Sequence, residues 1–307
     1  MSLTPFIHAM GRGPSRARSL TRDEAAEAMM LILSGETPPE AVGALLMLMR
    51  YRGETAEEIA GFTSAIREEL AEWQRVDAAL DWPSYAAGRS RGQPWFLLAA
   101  KLIGEAGYPV LLHGWNSHQN PVADVRAALP AIGIPIVRTA AQAAVRLKRE
   151  KVVYVPLEAM NERVLDLLRL RDVLGLRSAV NTVCRMLNPS FAETAVQGVF
   201  HPSYRELQQD TALLLGTTNM AILKGGGGEF ERHPAKNVTL FGLRNGTALN
   251  TTAPARLHLH RRLADQTMSP EHLSAVWIGS ASDPFAEEII IGTAGAALFA
   301  LHAAPEI

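Results

Sequence analysis

The stretch PWFLLAAKLIGEAGYPVLLHG, Pro94 to Gly114, holds the repeating unit of this chain. An apolar helical pattern runs to a glycine, a short aliphatic run of strand type follows, and the strand ends in His-Gly. The same order recurs downstream. VADVRAALPAIG leads into IPIV, AAQAAVRLKREK into VVYVPL, and later come MAILKGGGG and NVTLFGLRNG. A helix, a buried strand and then a glycine or loop, repeated, predicts an α/β domain on a mostly parallel sheet.

Upstream the texture is different. Three short helices are expected in the first seventy residues. TRDE places Thr21 at an N-cap with Glu24 three residues on, and TAEE repeats this capping box at Thr55 and Glu58. Behind the first box, Ala25, Ala26, Met29, Met30 and Leu33 are read as an apolar stripe. Pro39 opens the second helix, where Val42, Leu45, Leu46 and Met49 follow helical spacing up to Gly53. Ile59, Phe62, Ile66 and Leu70 continue the pattern in the third. Such stripes need partners: each other, the rest of the chain or a second copy. The Pro-containing connector DWPSY (Asp81 to Tyr85) marks the change of texture, so the expected division is a helical domain over 1–73 and an α/β domain over 81–307.

Charge is balanced, with 30 Lys+Arg against 31 Asp+Glu, so any basic surface must come from uneven distribution. The lone Cys184 excludes an internal disulfide framework and a multi-cysteine metal site, and fits a reducing cytoplasm. The N-terminal residues have no signal-peptide pattern. The most apolar run, Ile289 to Leu301, is shorter than the roughly 20 residues a membrane span needs and reads as a buried helix.

Four segments give this chain a resemblance to the anthranilate phosphoribosyltransferase family, glycosyltransferase family 3. The stretch from Leu20 to Phe62, with its SGE turn, is similar to that family's opening helices. GYPVLLHG matches its strand ending in His-Gly. RDVLGLRSAVNTVCRMLNP, Arg171 to Pro189, is similar to its Arg-x-x-Leu-Gly-x-Arg…Asn…Asn-Pro segment and is the most specific of the four. QGVFHP followed by AILKGGGGEFE occupies the place of its Gly-Val strand and acidic metal loop. The resemblance implies a nucleoside phosphorylase/phosphoribosyltransferase-like fold. It also implies a homodimer through the helical domain and the return of helices around 160–188 to that domain.

The departures from the family pattern cluster at the chemistry. Where working members carry a Gly-Thr-Gly-Gly-Asp-Gly-type loop whose amides wrap a diphosphate, this chain has AAGRSRGQP, Ala86 to Pro94, with Arg89 and Arg91 in the loop. The family's Lys-His-Gly-Asn-Arg becomes LLHGWNS, keeping His113 and Gly114 but placing Leu112 and Ser117 at the Lys and Arg. The resemblance places a magnesium-binding Asp-Glu pair at Phe230 and Glu231. A phenylalanine cannot ligate magnesium, and Glu229 substitutes only if the loop re-registers. The combination PSYAAGRSRG…LLHG…KGGGGEFERHP resembles the non-catalytic YbiB-type branch, which implies dimers that bind nucleic acid without sequence preference.

The candidate phosphate- or nucleic-acid-binding residues are therefore Arg89, Arg91, His113, Arg171, Arg177, Arg185 and Lys224, with Glu229 and Glu231 as possible metal ligands. Arg177 matches the arginine that in working members faces the aromatic acid. For Arg171, Arg177 and Arg185 the bland alternative is ion pairing with Asp166 and Asp172. Arg12, Arg16 and Arg18 form an arm that tracks a nucleic-acid backbone or is disordered. Arg146, Lys148, Arg149 and Lys151 read as a solvated helix face. Arg256, Arg261 and Arg262 form a further basic group, with HLHRR (His258 to Arg262) read as an exposed edge strand. Trp95 is assigned to the core and Trp115 to base stacking. His113 and His118 lack a metal-ligand spacing, and GGGGE lacks the Lys-Ser/Thr of a P-loop.

Two functions follow. One is a nucleic-acid-binding homodimer acting on DNA or RNA backbone, with no cofactor expected. The other is a phosphoribosyltransferase or related glycosyltransferase using Mg²⁺, with Arg89 and Arg91 on the diphosphate and Glu229 and Glu231 on the metal, which accounts for Arg177, Asn181 and Asn188. A sensor without turnover is a third. No membrane partner is expected.

Overall fold

The computed structural model describes residues 2–13, 15–86, 92–115, 125–259, 261, 269–302 and 304. The chain opens with four helices: α1 (Thr4–Gly11), α2 (Arg22–Leu33), α3 (Pro39–Arg52) and α4 (Ala56–Glu69). The sequence predicts three, because the short α1 has no capping signal. It forms because Phe6 and Met10 are buried where α1 packs on α3. Both capping boxes are present as read, with the Thr21 and Thr55 hydroxyls accepting from the N–H groups of Glu24 and Glu58. The α2 stripe is shifted from its predicted face. Ala25, Ala28, Met29 and Ile32 are buried while Met30 is exposed, a strict i, i+3, i+4, i+7 set. Arg18 is an ion-pair partner of Glu24 at 2.6 Å, so this part of the N-terminal arm is tied to α2.

The α/β part follows in the order β1 (Leu80–Ser84), α5 (Phe96–Glu105), β2 (Val110–Gly114), α6 (Val125–Ala128), α7 (Ala140–Glu150) and β3 (Val152–Pro156). Four short helices come next: α8 (Leu157–Met160), α9 (Glu162–Arg169), α10 (Arg171–Leu174) and α11 (Val180–Arg185). The chain then forms β4 (Thr194–Val199), α12 (Tyr204–Leu214), β5 (Asn219–Lys224), β6 (Val238–Arg244), β7 (Thr247–Ala253), α13 (Pro270–Trp277) and α14 (Pro284–Ala300). The seven strands lie in the order β3-β2-β1-β4-β5-β6-β7, parallel through β5 and antiparallel for the last two. A helical N-terminal domain followed by an α/β domain on a mostly parallel sheet is thus the architecture. Two expected strands are absent among the described residues. IPIV contributes only an isolated bridge, Ile136 to Tyr154, and the segment after Ala253 leaves the sheet before His258. The Ile289–Leu301 run lies in α14, a buried helix packed on α5. Among the described residues no helix is long and apolar enough to cross a membrane.

Period-two alternation in the strands divides the core between the two faces of the sheet. Trp82, Leu112 and Tyr154 point to the layer with α5 and α14. Leu111, Val153 and Ile222 point to the layer shared with the N-terminal helices, α9 and α11. Arg67 of α4 stitches the second layer together by donating to the Leu187 and Met186 carbonyls at 2.7 and 2.9 Å.

The feature that positions a site is the junction of β1 and β4. Chain order reverses there, and in open α/β sheets ligands bind beyond the strand C-termini at such a switch point. The two strands pair for only two residues, Leu80 with Thr194 and Asp81 with Ala195, and then part.

Candidate functional site

The gap between the diverging strands is filled by the chain's own Glu229–Glu231 segment. The four glycines before it bring it there. Gly227 and Gly228 turn the chain through positive φ (64° and 95°) after β5. Gly198 and Gly225 let backbone approach backbone, since a Cβ on either would strike the Glu229 carbonyl. Phe230 is fully buried, edge-on to Trp82 with ring centroids 5.4 Å apart. The glycine run is thus required by the backbone path.

Both carboxylates turn inward. Glu229 is 1% exposed, and its Oε1 accepts from Ser84 Oγ at 2.9 Å and from the Ala86 N–H at 3.2 Å. Glu231, fully buried, accepts the Phe96 N–H at the first turn of α5 at 3.1 Å. The two acids therefore bind backbone donors at either end of the 86–96 loop, including one at a helix N-terminus where the dipole favours an anion. Between them and the sheet, Arg185 donates to the carbonyls of Gly198 (2.8 Å), Gly228 (3.3 Å) and Tyr85 (2.7 Å). Burial pulls its guanidinium below the ordinary arginine value, with the Glu229 charge opposing. Asn181 adds a hydrogen bond to the Tyr85 carbonyl.

Beneath this lies a buried polar chain. His113 Nε2 is 3.2 Å from Asp81 Oδ1, and its Nδ1 is 2.8 Å from the Tyr85 hydroxyl. The direction of the Tyr85–His113 hydrogen bond follows from the imidazole tautomer. Burial pushes the Tyr85 phenol well above its usual range. The arrangement pins the exit of β1 and leaves His113 fully buried, with no route to an incoming phosphate.

An open cleft of about 300 Å³ adjoins this filled crevice. It is lined by Arg50 from the last turn of α3, Arg171 from α10, Arg177, and Phe200 and His201 from the turn after β4. Its charged lining is four arginines, Arg185 included, against the single acid Glu54. Glu54 accepts from the Tyr204 hydroxyl at 2.9 Å, and Tyr204 in turn accepts from Arg50 at 3.1 Å. Burial, and then the neighbouring guanidiniums of Arg171 and Arg50, pull Arg177 below the ordinary arginine value. Crowded like charge of this kind favours an anion in the cleft.

The fold has solved counterparts. A family model described as the helical bundle domain of a glycosyl transferase family matches residues 4–69. The anthranilate phosphoribosyltransferase of Geobacillus kaustophilus is 30% identical over 304 residues, covering 95% of this chain and 88% of that protein. The chain belongs to the anthranilate phosphoribosyltransferase family. The crystal structure of the Thermus thermophilus enzyme superposes with a TM-score of 0.79 at 19% identity, covering 100% of this chain and 91% of the other. The Saccharomyces cerevisiae enzyme in complex with PRPP and Mg gives 0.75 at 14%, covering 98% and 88%. At these identities the structures speak for the fold.

Within this family member the predicted residues divide. Arg171, Arg177 and Arg185 come together as the third motif suggests, but Arg185 is spent on carbonyls. Lys224 is exposed at the end of β5. Asn188 closes its own turn by bonding both backbone groups of Ala192. Trp115 is buried and offers no stacking face. The last basic group is partly tied up in ion pairs, Arg256 with Glu288 and Arg261 with Asp283. Arg89, Arg91, Ser117, His118 and Arg262 lie outside the described residues. Sequence reasoning missed Arg50 and Phe200. Arg50 is separated from Arg171 by over a hundred residues, and its only signal is a basic helix end. Phe200 sits in QGVFHP, where a Pro two residues on marks a turn that exposes it.

Proposed function

We propose that this family member binds nucleic acid through the arginine cleft and does not transfer phosphoribosyl groups. The observation that carries the reading is the placement of Glu229 and Glu231 on the donors of the 86–96 loop. Carboxylates there compete with a diphosphate for the same N–H groups and repel it. The same placement argues against a magnesium site. Each acid accepts from N–H or O–H donors, both are buried, and Phe230 offers no oxygen. Among the described residues no cluster of three or more acids, histidines or cysteines is placed to hold a metal. Arg50, Arg171 and Arg177 then supply the phosphate contacts, and guanidinium is suited to them because it forks two hydrogen bonds at once. The reading includes a cytoplasmic homodimer through the helical bundle. Exposed Tyr51, Val173 and Leu176 support such an interface.

A second reading, phosphoribosyl transfer, is favoured by the names of the 29–30% identical relatives, anthranilate phosphoribosyltransferases of Geobacillus species. One pair of measurements separates them. Fluorescence anisotropy of a labelled oligonucleotide should give binding that weakens with salt. Arg171→Ala plus Arg177→Ala should reduce the log–log salt slope by about 1.4 on a single strand, about 0.7 per phosphate contact. Phosphoribosyl pyrophosphate, Mg²⁺ and anthranilate should give no product. No binding at low salt, together with turnover, establishes the transferase instead.

A further inference from the structure

The cleft pairs two chemistries that rarely meet by accident: clustered guanidinium groups and an exposed aromatic face. Phe200 is 46% exposed although it directly follows the buried end of β4, and the His201 ring stands edge-on to it with centroids 4.8 Å apart. Pro202 follows, and the turn lies alongside Gly228, where an added Cβ would be in ordinary van der Waals contact with the Phe200 backbone nitrogen and Cβ at 3.4 and 3.5 Å. Arg50, Arg171 and Arg177 line the same cleft. A cavity of about 300 Å³ is at the small end of ligand pockets. It suits one flat ring with its attached phosphate. A base offers a bare π-face only when it is unstacked, whereas in a duplex both faces are covered by neighbours.

We infer that the cleft takes one unpaired nucleotide of a single strand, its base stacked on Phe200 and its phosphates held by Arg50, Arg171 and Arg177. This rests on the nucleic-acid reading above and adds to it a preference for single strands. The arginines track the backbone without regard to sequence, and stacking is tolerant because every base has a π-face. The duplex is disfavoured because unpairing costs free energy before a base can enter. His201, beside the platform, gives the bound base a second ring to meet.

The test compares three probes of equal length at one salt concentration: an oligo-dT strand, the same strand with abasic sites and so the same phosphate charge, and a duplex, which carries twice that charge. The native protein should bind oligo-dT about tenfold or more tightly than the abasic strand, the scale of base–aromatic stacking. In Phe200→Ala that ratio should fall towards one, and Phe200→Trp should restore it. A native ratio already near one overturns the inference while leaving backbone binding intact. So does a Phe200→Ala variant that weakens both strands equally, since the ring would then only hold the turn. Tighter binding of the duplex than of oligo-dT also overturns it. Failure of every probe to bind at low salt is a different result, and removes the nucleic-acid reading itself.

Discussion

Two regions less than one strand apart handle charge in opposite ways. At the mouth between β1 and β4, every charged group turns inward. Glu229 and Glu231 meet backbone amides, Arg185 meets three carbonyls, and His113 lies between Asp81 and Tyr85. In the neighbouring cleft, Arg50, Arg171 and Arg177 line open space, and burial together with the other two guanidiniums raises the cost of charge on Arg177. The first region spends its polar groups on holding the fold. The second holds an electrostatic imbalance that a ligand can relieve. The difference is that the same residue type, arginine, is a structural clamp in one place and the lining of an open cleft in the other. Burial and the nature of its partners decide which.

The contrast can be broken at several points. The largest effect is expected for Gly198→Ala. The added methyl collides with the Glu229–Phe230 backbone, which cannot withdraw because Trp82 lies behind it. A loss of about 3 kcal/mol or more is expected in urea unfolding, at or above the top of the roughly 1–3 kcal/mol typical of overpacked cores, because backbone and not a side-chain end must move. A loss below about 1 kcal/mol would mean the crevice is not filled as described. Next comes Arg185→Met, which leaves three buried carbonyls short of a donor. At about 1–3 kcal/mol for an unpaired buried group, with relaxation recovering part, a loss of about 3 kcal/mol is expected from the same measurement. The smallest effect on stability is expected for Arg177→Met. Removing one of three crowded cations should leave stability within about 0.5 kcal/mol, as for most substitutions away from packed features. Its oligonucleotide affinity should still drop. Equal losses of stability from Arg177→Met and Arg185→Met would erase the distinction between the regions.

Much of the fold was legible because local signals agreed with one another. The capping boxes at Thr21 and Thr55, the Gly-terminated helices and the aliphatic strands each point to one element, and tertiary packing did not overrule them. IPIV misled because four apolar residues fit a strand or a covered loop equally well, and only neighbouring strands decide between them. The site was legible in part. The third motif placed Arg171, Arg177 and Arg185 together, since 15 residues of short helices keep them on one segment. The sequence cannot show which way Glu229 faces, because that depends on Ser84 and Ala86, over 140 residues earlier. Between a structural and a phosphate-facing His113 the sequence could not choose for the same reason: the nearby carboxylate, Asp81, is on the neighbouring strand and distant in the chain. Arg50 and Phe200 were invisible until the helical bundle and the β4 turn were brought face to face.

The position of Phe230 also constrains the lineage. The ring is wholly enclosed beside Trp82 and Phe96. Replacing it by aspartate in one step would strand a carboxylate in an apolar pocket, at a cost of several kcal/mol, a large share of the 5–15 kcal/mol typical of a folded domain. Placing an acidic pair at this loop therefore needs the surrounding aromatic residues to change first or together. With such a ring closed over the pocket, ordinary stepwise mutation is steered away from opening it.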